Sequence, residues 1–438
     1  MDTAKTARKH LSADALFRLL RTEFKVIPDP RPEPKIALAD ALMAGFAVFA
    51  LKAPSLLAFE NERRANEFNM KGIFGLKAVP CDTQMRTILD EVEPAQLRPA
   101  FTSVFRQLQR GKVLEEFVFF QGHYLLACDG TTYHASEKVH CPSCLQKKSR
   151  NGVVTYYHQM LGLALVHSDH KEVIPLCPEP IIKQDGSDKN DCERNATRRA
   201  LEHFRREHPS LPVIIVEDAL SANAPHLQDL RDHDIRYILS VKPGSHGFLF
   251  RQLDEADAAG RTQVLTLEDE KGVLHHFRWL LNVSLNEANP EEHVHLLDYW
   301  EIHPDGTIHH FTWITALTLD ADSVWHIMRG GRARWRIENE TFNTLKNQGY
   351  HFDHNYGHGN QHLSVVFALL MMLAFLVDQT QQLCDGLFQA VWEKMGSKRR
   401  LWDRVRSLFH DFRLESMRQL YELLLHFQPQ EPARADTS

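Results

Sequence analysis

Residues 117–134, FVFFQGHYLLACDGTTYH, decide the fold of this chain. They contain a short apolar strand pattern, Tyr124 to Cys128, that ends at Asp129. A second buried-strand pattern, VIIV at 213–216, leads through one glutamate to Asp218. In open α/β sheets, sites lie beyond the carboxyl ends of the strands. We therefore expect the two aspartates to lie close together, although 218 − 129 = 89 positions separate them.

The segments around these two strands predict the order of three strands, helix, strand, helix, strand. The predicted strands are 124–128, 153–166, 172–176, 213–216 and 237–241, and the predicted helices are 191–208 and 224–233. Residues 244–320 interrupt this order, because they read as further strands separated by turns at 270–272 and 304–306. The pattern is that of an α/β core with a β-rich insertion.

After the insertion comes a predicted helix that carries GGRARWRIENETFNTLK at 330–346. Glu338 and Glu340 are two positions apart, so they point to nearly opposite faces of a helix. Glu338 shares its face with Arg334 and with apolar residues, whereas Glu340 is placed to pair with Arg336 on the surface. Helical phase therefore favours Glu338 as a third carboxylate beside the two aspartates.

Residues 120 to about 380 resemble the DDE transposases of bacterial cut-and-paste insertion sequences. The family pattern at the helix is Tyr, two residues, Arg, three residues, Glu, six residues, Lys. Arg334 and Glu338 match its Arg and Glu, but Gly331 stands at the Tyr position and Leu345 at the Lys position, with Lys346 one residue late. The resemblance implies an α/β fold with a ribonuclease-H-like mixed sheet, a β-rich insertion before the catalytic Glu, and helical flanking regions.

The resemblance also implies the chemistry and the partners. Asp129, Asp218 and Glu338 would hold two Mg²⁺ ions, with Mn²⁺ as a substitute, for cleavage of phosphodiester bonds and transfer of 3′-hydroxyl ends. The partners would be DNA, as terminal inverted repeats and target, and a second copy of the chain in a dimeric DNA complex. Residues expected to contact DNA are Arg334, Lys346, Lys147, Lys148 and Arg150. For Arg334, an ordinary i,i+4 surface pair is the alternative.

Five regions are expected along the chain. Residues 1–119 are helical and fit either DNA-end binding or a scaffold. The next three regions are the first part of the catalytic core at 120–243, the insertion at 244–321, and the Glu338 helix with its successor at 322–380. A helical region, 381–438, ends the chain.

Cys141 and Cys144 have the Cys-x₂-Cys spacing of a zinc site. His140, His158, Cys177 or Cys192 could supply further ligands, so a structural Zn²⁺ is one interpretation. A plain β-hairpin turn with two thiols is the other. Trp279, Trp300 and Trp313 in the insertion raise a similar choice, between stacking on a flipped DNA base and ordinary core packing.

Composition sets the remaining limits. The 438 residues carry a net charge of −6, so any basic DNA-binding surface must be local. Seven cysteines do not form a disulfide framework and indicate a reducing compartment. The N-terminal sequence has no apolar signal segment, and the apolar run 365–377 is too short to span a bilayer and predicts a buried helix. We expect a cytoplasmic protein.

Three other functions fit part of the sequence. A ribonuclease-H-like nuclease without strand transfer would use the same carboxylates. A catalytically inactive, transposase-derived DNA-binding protein would account for the departures at Gly331 and Leu345. A zinc-dependent regulator built on Cys141 and Cys144 would leave the three carboxylates without a role.

Overall fold

The computed structural model of the chain describes residues 8–183 and 192–426. These residues form two compact units: one joins the segment up to 111 with the segment from 345 onward, and the other is 112–344. The second unit contains the sheet, so the predicted α/β class with helical regions at both ends is confirmed. The five-part division of the chain remains a prediction.

In the part of the chain that the structure describes, the strands join into a single mixed sheet. They are β1 (Val118–Phe120), β2 (His123–Ser136), β3 (Leu145–Lys148), β4 (Val154–Val166), β5 (Ile174–Pro175), β6 (Glu179–Ile181), β7 (Val213–Glu217), β8 (Arg236–Ser240), β9 (Gln263–Glu268), β10 (Leu274–Asn286), β11 (Asn289–Ile302) and β12 (Ile308–Thr315). The main path runs β3-β4-β2-β7-β8-β12-β11-β10-β9, with β5 and β6 on β4. β2, β7 and β8 are parallel to one another, and β4 is antiparallel to β2. This is the ribonuclease-H-like core that the sequence predicts.

Two strand boundaries differ from the prediction. β2 does not end before Asp129 but continues to Ser136, because β4 pairs with it as far as Ser136↔Tyr156. The polar residues after Asp129 hide this extension, since they break the apolar run that marked the strand. The predicted strand 172–176 is reduced to the two residues of β5, and β6 follows it on the same neighbour.

The insertion is an extension of the core sheet. β12 pairs antiparallel with β8, through Trp313↔Ser240 and Ile314↔Leu239. β11, β10 and β9 then follow in antiparallel order. The α-helices of this unit are Glu193–Glu207, Ala224–Asp232, Gly247–Ala258 and Val324–Ala333, followed by a π-helix, Ile337–Phe342. A helical turn, Asn343–Asn347, begins in this unit and ends in the segment that starts at 345.

The other unit is helical. Its α-helices are Ala13–Lys25, Leu38–Ala50, Leu56–Ala65, Glu67–Phe74, Asp82–Asp90, Arg98–Arg110, Leu363–Cys384, Gly386–Met395, Lys398–Asp411 and Met417–His426. Helix 38–50 is buried along its whole length, and Phe49 packs edge-on against Phe367 with ring centroids 5.8 Å apart.

Helix 363–384 is long and apolar enough to cross a membrane, but its most apolar stretch is wholly buried inside the protein. Near its end Asp378 forms a 2.5 Å ion pair with the buried Lys52. The predicted buried helix is therefore present as a core helix of this unit.

Candidate active site

The register of the central strands brings the two aspartates to one edge of the sheet. β2 and β7 pair in parallel from Tyr124↔Val213 to Ala127↔Val216. Asp129 and Asp218 each lie two positions beyond that last pair. Both line a single cleft of about 770 Å³ in this unit. The 88 intervening residues leave the strand ends adjacent, as parallel pairing requires.

Glu338 lies on the π-helix, Ile337–Phe342, and its charge acts on Asp129. Phe342 packs against Gly162, the residue that faces Asp129 across β2 and β4. A Cβ atom on Gly162 would lie 2.7 Å from the Phe342 ring, so only glycine permits this approach. The glycine therefore sets the distance between the Glu338 segment and the strand that carries Asp129.

The three carboxylates influence one another. The pKa of Asp129 is raised to about 6, chiefly because burial disfavours its charged form. Arg334 and the Gly130 N–H oppose this rise, whereas the negative charges of Asp218 and Glu338 add to it. Carboxylate oxygens are the ligands that hard divalent cations prefer, so the charges acting on Asp129 suit a cation site.

Arg334 lies on Asp129. Its Nη1 is 3.4 Å from the Asp129 Oδ2, its side chain is only 10% exposed, and its guanidinium stacks on the Trp335 ring at 4.4 Å. Arg336 pairs with Glu340 at 3.4 Å, one turn away. Arg334 is thus placed to orient Asp129, a role for which its spacing from Glu338 gave no signal.

Glu193 is a further carboxylate of the cleft, and sequence reasoning missed it. It begins helix 193–207, and its carboxyl group lies directly over Gly130, beside Asp129. Although the residue is exposed overall, partial desolvation of the carboxyl group and the charge of Asp218 raise its pKa. No motif surrounds Glu193 in the sequence. Only the packing of this helix start against β2 reveals it.

Glu217, next to Asp218, points elsewhere. It is 3% exposed and bonded to the His226 Nε2 at 2.6 Å. Burial alone would lower the pKa of His226, but the Glu217 carboxylate outweighs it and the pKa is raised. Asp218 instead accepts a hydrogen bond from the Leu220 N–H at 2.9 Å and is partly exposed. Of these two neighbouring acids, Asp218 is the one free to face a ligand in the cleft.

The departure at Gly331 has a steric cause. A Cβ atom there would lie 2.3 Å from the Nε1 of Trp313, which belongs to β12 of the insertion. A tyrosine cannot occupy this position while the helix packs on that strand. Leu345, at the family's Lys position, is fully buried. Lys346 is half-buried, 3.9 Å from Asp353.

The remaining predicted DNA contacts form a separate group. Lys147, Lys148 and Arg150 are exposed on the hairpin of β3 and β4. Asp129 and Asp218 thus share a cleft, Arg334 pairs with Asp129, and the charge of Glu338 acts on Asp129. The three cations form a basic hairpin of their own.

The insertion tryptophans divide into two kinds. Trp279 and Trp313 are buried, with 3% and 2% exposure, which is the core-packing alternative. Trp300 is half-buried and stacks on His310 with ring centroids 4.7 Å apart. Of the three, only Trp300 offers ring surface to solvent.

Comparison with known proteins gives the family. The model of the transposase DDE domain matches residues 121–376, more than half of the chain. None of the curated proteins matches. Among solved structures, the piggyBac transposase synaptic complex with hairpin DNA is similar over 99% of this chain and 88% of that one, with 11% identity and a TM-score of 0.40. A structural likeness this distant adds nothing to the family assignment, which rests on the domain match alone. The chain belongs to the DDE transposase family.

Proposed function

We propose that this protein binds the ends of a mobile element, cleaves phosphodiester bonds there, and joins the freed 3′-hydroxyl ends to target DNA. One observation carries the proposal. Asp129 and Asp218 stand at matching positions beyond paired parallel strands, and Glu338 is close enough to Asp129 to raise its pKa. All three lie within the matched DDE domain.

The residues fit a site for two divalent cations. Asp129, Asp218 and Glu338 would hold the two ions. Mg²⁺ or Mn²⁺ held there would activate a water or 3′-hydroxyl and offset charge on the leaving oxygen. Arg334 would keep the Asp129 carboxylate in place, and the burial that raises the pKa of Asp129 is the desolvation that a bound cation compensates.

DNA is the proposed partner, as element ends and as target. Lys147, Lys148 and Arg150 are exposed cations suited to phosphate contacts. We assign Lys346 and Arg334 the same kind of contact with DNA phosphates. Holding two ends together calls for two copies of the chain, so the proposed active form is a dimer on DNA, acting in the cytoplasm.

The test is strand cleavage with Mg²⁺ on a DNA fragment that carries the element's ends. Asp129→Asn, Asp218→Asn and Glu338→Gln should each reduce cleavage at least 100-fold, roughly the loss seen when a group central to the transition state is removed. Glu340→Gln is the matched control, since Glu340 is two residues from Glu338 and pairs with Arg336. Normal cleavage by any of the three variants would overturn the proposal.

A joining assay separates transposase from nuclease. Pre-cleaved ends with free 3′-hydroxyls are supplied together with a target plasmid. Joined products that disappear in Asp129→Asn support strand transfer at this site. Cleavage without joining would leave a ribonuclease-H-like nuclease as the function, and neither activity in intact protein would leave the inactive DNA-binding protein.

A further inference from the structure

We propose that Cys141, Cys144 and His158 bind one Zn²⁺ ion, which fixes the base of the basic hairpin. Cys144 directly precedes β3, and His158 follows Tyr157, the partner of Leu145 on β4. Cys144 and His158 are therefore neighbours across the two strands. Cys141 lies in the connection from β2, and its sulfur lies within 4.8 Å of the ligand atoms of Cys144 and His158.

The distances within the cluster have the size of a metal site. The two Sγ atoms are 4.0 Å apart, and each is 3.4 Å from the His158 Nε2. A tetrahedral ion with Zn–S of about 2.3 Å and Zn–N of about 2.0 Å separates two sulfurs by roughly 3.8 Å, and sulfur from nitrogen by roughly 3.5 Å. All three distances agree with one common centre.

A single hydrogen bond does not account for this arrangement. An imidazole nitrogen carries one proton or one lone pair, so it makes one well-directed bond. Here Nε2 is equally distant from two sulfurs, as it would be if all three atoms pointed at one ion. The Cys141 N–H also lies 3.4 Å from the Cys144 Sγ, in position to support a thiolate.

Ligand chemistry and burial select zinc. Two thiolates and one imidazole suit Zn²⁺ and not Mg²⁺, which takes oxygen ligands. Cys141, Cys144 and His158 are 5%, 1% and 0% exposed, so an ion there would be held away from solvent. The fourth coordination position belongs to water or to a donor outside these three residues.

The position of the ion gives it a role that rests on the proposed DNA binding. Lys147, Lys148 and Arg150 lie on the hairpin that begins at Cys144. Paired by only four registered positions of β3 and β4, this hairpin has few bonds to fix its direction. A metal at its base would present the three cations to DNA as one rigid surface.

The first experiment measures metal in protein purified without added zinc, by inductively coupled plasma mass spectrometry. We expect about one Zn²⁺ per chain in the wild type, following the single site argued here. Cys141→Ser, Cys144→Ser and His158→Ala should each lose most of it. The control is Cys177→Ser, which changes another buried thiol of the same unit and should keep the ion. Absence of zinc from the wild type, or its retention in all three variants, would overturn the proposal.

Because a variant can lose zinc by failing to fold, a second measurement uses the wild type. After chelation, Co²⁺ is added, and the absorption of tetrahedral, thiolate-ligated cobalt should appear and should vanish on addition of Zn²⁺. A six-coordinate, purely oxygen-ligated cobalt spectrum would contradict the ligand set. Neither measurement depends on DNA cleavage, so zinc could be present in a protein that fails as a transposase, and the two proposals fail separately.

Discussion

At the scale of single residues, close packing explains where this chain departs from its family's pattern. Gly162 admits the Phe342 ring and Gly331 admits the Trp313 indole, and in both places a Cβ atom would lie under 3 Å from a ring. The missing side chain of Gly331 therefore leaves the space that the Trp313 indole fills. The departure reports how the helix packs on the insertion and is no sign that the carboxylate site has decayed.

Gly331→Ala should destabilise the unit by about 1–2 kcal/mol, because overpacking of a buried ring outweighs the gain in helix propensity of roughly 1 kcal/mol. The free energy of unfolding by urea measures this. Gly247→Ala is the control, since Gly247 also lies in a helix, 247–258, and has no neighbouring atom within 4 Å of its Cβ position. Equal stability of the two variants would show that the helix shifts at no cost.

Glu193→Gln should lower cleavage roughly 10-fold at limiting Mg²⁺, the scale of losses when a group behind metal ligands is changed. The physical reason is the loss of one negative charge beside Asp129 and Asp218. The measurement is cleavage rate against Mg²⁺ concentration, and saturating Mg²⁺ should restore most of the rate.

Glu202→Gln, an exposed acid on the same helix, serves as the control for Glu193→Gln. A loss that saturating Mg²⁺ does not relieve would make Glu193 a ligand in its own right. An unchanged rate at every concentration would remove it from the site.

At the scale of elements, the sequence predicts the strands and helices that leave a regular pattern of apolar residues. The strands before Asp129 and Asp218 are short apolar runs, so both were found, and parallel pairing then placed their carboxylates together. The polar end of β2 was not predicted, because Asp129 interrupts the apolar run of the strand. The π-helix was not predicted, because six residues with i→i+5 hydrogen bonds are too few to show a periodic pattern in the sequence. His158 was one of four possible partners for Cys141 and Cys144, and strand register selects it.

A cap between helices carries a prediction of stability. Asp90, at the end of helix 82–90, accepts hydrogen bonds from four successive N–H groups, those of residues 360–363, at the start of helix 363–384. Asp90→Ala should cost about 1–2 kcal/mol in the free energy of unfolding at pH 7, the upper range for loss of a helix cap. Glu91→Ala, an exposed acid next to it, should cost little.

The same cap gives a pH dependence. Burial alone would raise the pKa of Asp90, but the four N–H groups outweigh it, so the pKa is lowered. The stabilisation is therefore complete above the unfolded-state pKa of about 4 and is lost as the pH falls through the lower folded-state value. The difference in unfolding free energy between wild type and Asp90→Ala should be constant from pH 7 to about pH 5 and shrink below about pH 4. A difference that persists in acid would show that the carboxylate charge is irrelevant to the cap.

At the scale of the whole molecule, charge limits how DNA is held. A chain of net charge −6 repels DNA on average, so in the proposed DNA complex a local cluster such as Lys147, Lys148 and Arg150 would supply the attraction. Replacing all three by alanine should weaken DNA binding and reduce the slope of log affinity against log salt by up to about 2.7, at about 0.9 per phosphate contact on duplex DNA.

The control for that slope is the double variant Arg261→Ala with Lys271→Ala, which removes exposed cations from the insertion. Fluorescence anisotropy of labelled duplex DNA at several salt concentrations measures both proteins. If the two variants change the slope equally, the hairpin is not the contact surface.

The pairing of β12 with β8 has a consequence for how such proteins diverge. Since the insertion's strands continue the sheet that carries the carboxylates, their hydrogen-bonded rows are anchored while their connecting turns are not. Turns such as 269–272 and 303–307 can lengthen or shorten in descendants without displacing Asp129 or Asp218. Natural variation in gene length should therefore collect at those turns, and new specificities would be acquired at the far edge of the sheet while the chemistry at its centre is inherited unchanged.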